Sequence, residues 1–125
     1  MFDTKTKANA GVEVELTSPR TFEGTGVFIT VHGTDSDQFR KASAEMARRT
    51  LELSQAGGGK VDQEQRDELQ ANLLAACTSG WRGLEDDGKE IPFAKAKAAQ
   101  IYLSHPVIRE QVDSAIANRQ AFLKA

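Results

Sequence analysis

The spacing of apolar residues near the N-terminus predicts two β-strands. Val12, Val14 and Leu16 alternate with two glutamates, so one face of the first strand is apolar and the other is polar. The β-branched and aromatic residues over 27–31 are typical of a second strand. Because two strands alone are marginally stable in water, we expect this hairpin over residues 11–32 to pack against other elements.

Beyond the hairpin, apolar residues recur at spacings of three and four, which predicts amphipathic helices. The first begins at the acidic and hydroxyl residues around Ser36 and ends before the glycines at 57–59. Pro106 suits the first position of the last helix. The predicted helices span residues 36–55, 62–79, 93–104 and 106–123.

These elements predict an α+β fold, with an N-terminal β-hairpin followed by four helices packed as one small domain over residues 11–125. Residues 1–10 are polar and show no period, so we expect them to form a mobile, flexible tail. A length of 125 residues suits a single domain of this kind.

Net charge and cysteine content argue against several classes of partner and of cellular environment. Sixteen Lys and Arg against eighteen Asp and Glu give a net charge of −2, which argues against nucleic acid as a partner. The single cysteine, Cys77, cannot form an internal disulfide, which fits a reducing cytoplasm. No apolar run is long enough to span a membrane, so we expect no membrane partner.

Two glycine-containing segments resemble ligand-binding loops but lack the residues that such loops need. Around Gly59-Lys60, a phosphate-binding loop requires a glycine where Ser54 stands and a hydroxyl residue where Val61 stands. The segment Asp86-Asp87-Gly88 has no acidic residue at the first and last positions of a calcium loop. We therefore interpret the first as a helix connector and the second as a turn.

Residues that could act in catalysis are scattered along the chain. His32 and His105 are far apart and have no partner at metal-ligand spacing, so we expect each to be a surface or turn residue. Cys77 lies on an apolar stripe with three leucines, where a small thiol is more typical of a core. We expect no cofactor, no metal and no enzymatic activity.

Trp81 and Phe93 flank an irregular acidic connection and are consistent with two interpretations. The Trp81 ring either anchors the core or belongs to an exposed apolar site for a partner. Both interpretations make it structurally important.

The second half of the chain resembles the tail assembly chaperones of long-tailed bacteriophages. The resemblance rests on a series of short motifs covering residues 69–123: Leu73-Leu74-Ala75-Ala76-Cys77, Trp81-Arg82-Gly83-Leu84, Asp86-Asp87-Gly88, Ile91-Pro92-Phe93, Pro106-Val107-Ile108-Arg109-Glu110-Gln111-Val112 and Asn118-Arg119. The glycines at 57–59 depart from the family pattern.

This resemblance implies a cytoplasmic protein of the host cell that holds the tape-measure protein soluble and helps to recruit tail-tube subunits, and that is absent from the mature virion. Self-association is also compatible with such a role. On this basis we expect a partner-binding groove for an apolar helix, lined by Trp81, Leu84, Ile91, Phe93 and Tyr102. The alternative is a structural component of the virion, such as a minor tail or tail-completion protein.

Overall fold

A computed structural model describes residues 2–123 and confirms the α+β fold with an N-terminal hairpin followed by helices. The elements in chain order are α1 (Lys5–Ala10), β1 (Val12–Thr17), β2 (Gly24–Val31), α2 (Asp37–Ala56), α3 (Gln63–Ala76), β3 (Thr78–Arg82), β4 (Glu85–Asp86), β5 (Lys89–Glu90), α4 (Lys95–Ser104), α5 (Pro106–Ala117) and a final 3-10 helix (Arg119–Phe122). No helix within these described residues is both long and apolar enough to cross a membrane.

The main sheet has three antiparallel strands in the order β1-β2-β3. In the hairpin, Val14 lies opposite Ile29 and Val12 lies opposite Val31, which places the apolar alternation of both strands on one face. On the other side of β2, Trp81 of β3 lies opposite Ile29.

The third strand was not predicted. Its first residues were assigned to the helix expected over 62–79, which in the structure ends at Ala76. From Thr78 onward the backbone pairs with β2, and the amide of His32 donates to the carbonyl oxygen of Cys77 over 2.8 Å. A strand so short gains its stability from this distant partner, which local periodicity does not reveal.

The expectation of a mobile tail over residues 1–10 is corrected for Lys5–Ala10, and Met1 lies outside the described residues. Residues Lys5–Ala10 form α1, and Ala8 is completely buried. Contacts with residues far along the chain hold this helix: His32 Nδ1 lies 2.9 Å from the Ala8 carbonyl oxygen, and the Thr4 hydroxyl donates to Asp35 over 2.6 Å. His32 is therefore buried, whereas a surface or turn position was expected.

Side-chain caps define the starts of the two central helices. The Ser36 hydroxyl accepts the amide of Phe39 at α2, and Asp62 and Gln65 form a reciprocal capping box at α3. The last predicted helix, over 106–123, ends at Ala117 and is followed by the 3-10 turn. The last two positions of the predicted domain, 124–125, lie outside the described residues.

The core lies between the apolar face of the sheet and helices α3, α4 and α5. Its largest fully buried side chains are Tyr102, Phe122, Ile29, Leu74, Ile116, Val31 and Val112. Cys77 is buried among them, as its apolar stripe predicted. Helix α2 differs from the other long helices, because Ala42 is its one buried residue.

Candidate functional site

Four of the predicted partner-binding residues come together beside the sheet. Trp81, Leu84, Ile91 and Phe93 are each half-buried and pack against the core. The Trp81 and Phe93 rings meet edge to face, with centroids 4.8 Å apart and an angle of 82° between their planes. We call these four residues the Trp81 cluster.

A short hairpin projects from the Trp81 cluster. Strands β4 and β5 are joined by Asp87 and Gly88, whose φ angles of 51° and 76° are those of a tight hairpin turn. At the motif glycine Gly83, where φ is 79°, an added Cβ atom would collide with the carbonyl oxygen of Gly26. The predicted turn is thus present. Gly88 suits the positive φ angle of the turn, and Gly83 suits a position with no room for a side chain.

Tyr102 does not line a groove with the Trp81 cluster. Its side chain is completely buried, and its hydroxyl lies 2.8 Å from the hydroxyl of Thr78. Burial raises the pKa of the Tyr102 phenol to about 12, so the ring stays neutral. Tyr102, which the family resemblance led us to expect in the partner-binding groove, is therefore a core residue.

The structure places an open apolar groove elsewhere, between α2 and α3. Its volume is about 560 Å³, and it is lined by Gln38, Lys41, Ala42, Glu45, Met46 and Arg49 of α2, by Leu69, Asn72, Leu73 and Ala76 of α3, and by Lys95 at the start of α4. We call this surface the α2–α3 groove.

The lining residues of the α2–α3 groove follow helical spacing on both walls. Ala42, Met46 and Arg49 lie three or four positions apart on α2, as do Leu69, Leu73 and Ala76 on α3. Such spacing on two neighbouring helices is the pattern that normally packs against a third helix. The sequence contained the signal, but it predicted a buried core and did not reveal that part of the stripe stays uncovered.

Charged side chains border the α2–α3 groove. Arg48, just outside it, forms ion pairs with both Glu45 and Glu52, and its hydrogen bond to Glu45 lowers the pKa of that carboxyl. The ammonium group of Lys95 donates to the carbonyl oxygen of Ala76 over 3.1 Å, at the C-terminal end of α3. The groove therefore has an apolar floor and an ionic rim.

A family model described as YdaY prophage protein matches residues 34–125, well over half of the chain. The chain belongs to the YdaY prophage protein family. It is therefore a protein of phage origin. No curated protein and no solved structure matches it. The match to the YdaY family includes all the residues that line the α2–α3 groove and the whole Trp81 cluster.

The thiol of Cys77 in this YdaY family member is buried. Burial raises the pKa of the Cys77 thiol to about 11, so little thiolate exists at neutral pH. Within residues 2–123, no group of three or more His, Cys, Asp or Glu side chains is arranged to hold a metal ion. The α2–α3 groove is an open, mostly apolar surface among the described residues.

Proposed function

We propose that this YdaY family protein is a phage tail assembly chaperone that binds the tape-measure protein, keeps it soluble, and helps to recruit tail-tube subunits before being left out of the mature virion. The observation that carries the proposal is the α2–α3 groove, an uncovered apolar channel with helical spacing on both walls. The motif resemblance over residues 69–123 supports the same role, which requires binding and no catalysis, in the host cytoplasm.

The groove suits a helical partner. A tape-measure protein is expected to be a long helix with an apolar stripe, which would aggregate alone. The α2 wall runs from Gln38 to Arg49, about 17 Å along the helix axis, so one groove would cover about three turns of a bound helix. Many copies would then bind along one tape measure, each weakly enough for tube subunits to displace it.

The Trp81 cluster has a supporting role in this proposal. It packs against the chain that leads into α4, whose first residue, Lys95, lines the α2–α3 groove. Replacing Trp81 should therefore affect binding through the fold as well as through any direct contact.

A decisive experiment is co-expression of the tape-measure protein of the same prophage with variants of this chain. Met46 is half-exposed in the groove, so Met46→Glu should place a charge against the bound stripe and lower the soluble fraction of the tape measure by about tenfold. Met46→Leu keeps an apolar side chain and should behave as the original protein does.

Val107→Glu is the matched control, because Val107 is 45% exposed on α5 and does not line the groove. Thermal unfolding of all three variants separates lost binding from lost folding. Unchanged tape-measure solubility with a folded Met46→Glu variant would contradict the proposed groove.

The competing role is that of a structural virion component, such as a minor tail or tail-completion protein. Quantitative mass spectrometry of purified particles distinguishes the two roles. Stoichiometric amounts of this chain in mature particles would overturn the chaperone proposal, whereas its absence from particles that assemble only when it is expressed would support it.

A further inference from the structure

The charge of the α2–α3 groove is opposite in sign to that of the whole chain. Three basic side chains line it, Lys41, Arg49 and Lys95, against a single acidic one, Glu45. The whole chain has a net charge of −2. A basic groove on an acidic protein is a local feature that a partner can recognise.

Two of the three basic groups, Lys41 and Lys95, have no ion pair within residues 2–123, whereas Arg49 pairs with Glu52 over 3.1 Å. Glu45 is already paired with Arg48, which does not line the groove. The side chain of Lys41 is exposed and forms no hydrogen bond or ion pair within residues 2–123. Uncompensated positive charge therefore borders the apolar floor.

We propose that the α2–α3 groove selects a helix whose apolar stripe is flanked by Asp or Glu side chains. This inference rests on the proposed function, since it names the chemistry of the helix that the groove would hold. Lys41 on α2 and Lys95 at the start of α4 line the groove without an ion pair, so they are the side chains that acidic residues of the partner would contact.

Three synthetic Ala-rich helical peptides test this selection. They share one apolar stripe and differ in the flanking residues, which are Glu, Gln or Lys. Fluorescence anisotropy at low salt should show the Glu peptide binding about fivefold more tightly than the Gln peptide, and the Lys peptide binding more weakly than both. Raising the salt concentration should reduce these differences.

Charge reversal in the groove is the second part of this experiment. In the double variant Lys41→Glu with Lys95→Glu, the order of the three affinities should reverse. The control Arg20→Glu with Lys89→Glu makes the same change in net charge at exposed positions outside the groove lining and should keep the original order. Thermal unfolding establishes that both double variants are folded.

The outcomes separate the inference from the function on which it rests. Equal affinities for the three peptides, all abolished by Met46→Glu, would overturn charge selection and leave the groove as a helix-binding site. Binding of none of the peptides would overturn both. Light scattering that showed a dimer dissociated by Met46→Glu would place a second copy of the chain in the groove and would overturn the inference.

Discussion

The indole nitrogen of Trp81 donates a hydrogen bond to the carbonyl oxygen of Ile91 over 2.7 Å. This bond joins the last strand of the main sheet to the segment that leads into α4, across the base of the β4–β5 hairpin. A ring that both packs against Phe93 and donates this hydrogen bond is a structural anchor, even though it is only half-buried.

Removing the Trp81 ring should destabilise the fold. Trp81→Ala loses the packing and the hydrogen bond, and the free energy of unfolding should fall by about 2–3 kcal/mol. Trp81→Phe keeps an aromatic ring and loses the donor, so its cost should be about 1 kcal/mol. Urea unfolding measures both, and equal costs for the two variants would show that the hydrogen bond, rather than the packing, dominates.

The buried hydroxyl pair of Tyr102 and Thr78 predicts a second effect. Tyr102→Phe removes one partner, and the Thr78 hydroxyl keeps its hydrogen bond to the carbonyl oxygen of Leu74. The free energy of unfolding should therefore fall by only about 1 kcal/mol. A loss several times larger in urea unfolding would mean that the ring itself had shifted.

Close packing at Gly33 predicts a sharp difference between two glycines. A Cβ atom at Gly33 would lie 2.8 Å from the ring of Phe122, so Gly33→Ala should lower the free energy of unfolding by about 1–3 kcal/mol. Gly80 is the matched control, because a Cβ atom there meets nothing within 4 Å. Gly80→Ala should be neutral or stabilising, and similar thermal midpoints for the two variants would contradict the packing described for Phe122.

Acid should weaken the attachment of α1. Hydrogen bonds from Arg119 and Thr4 lower the pKa of the Asp35 carboxyl from its ordinary value of 3.8. A lowered pKa in the folded state means that the stabilisation is present above pH 3.8 and is lost as the pH falls through the lower folded value.

Asp35→Asn isolates this contribution from those of other carboxyls, such as Glu13, whose pKa the hydrogen bond from Arg82 lowers. The difference in urea midpoint between the original protein and Asp35→Asn should be constant near neutral pH and should shrink below pH 3.8. A difference that stays constant to low pH would show that the Asp35 charge does not matter.

Local patterns in the sequence determined the hairpin and most helix boundaries. The alternation from Val12 to Leu16, the Ser36 and Asp62 caps and Pro106 all act through neighbours a few residues away, so periodicity and capping chemistry were sufficient. The Asp87-Gly88 turn was predictable for the same reason.

Tertiary structure alone decided the features that depend on distant partners. Helix α1 depends on His32 and Asp35, and β3 depends on pairing with β2. The same reason explains why the α2–α3 groove was not predicted. An apolar stripe looks the same in the sequence whether or not another element covers it in the fold. Only packing shows that Tyr102 is sealed in the core while Met46 lines an open groove, because burial is a property of the whole fold.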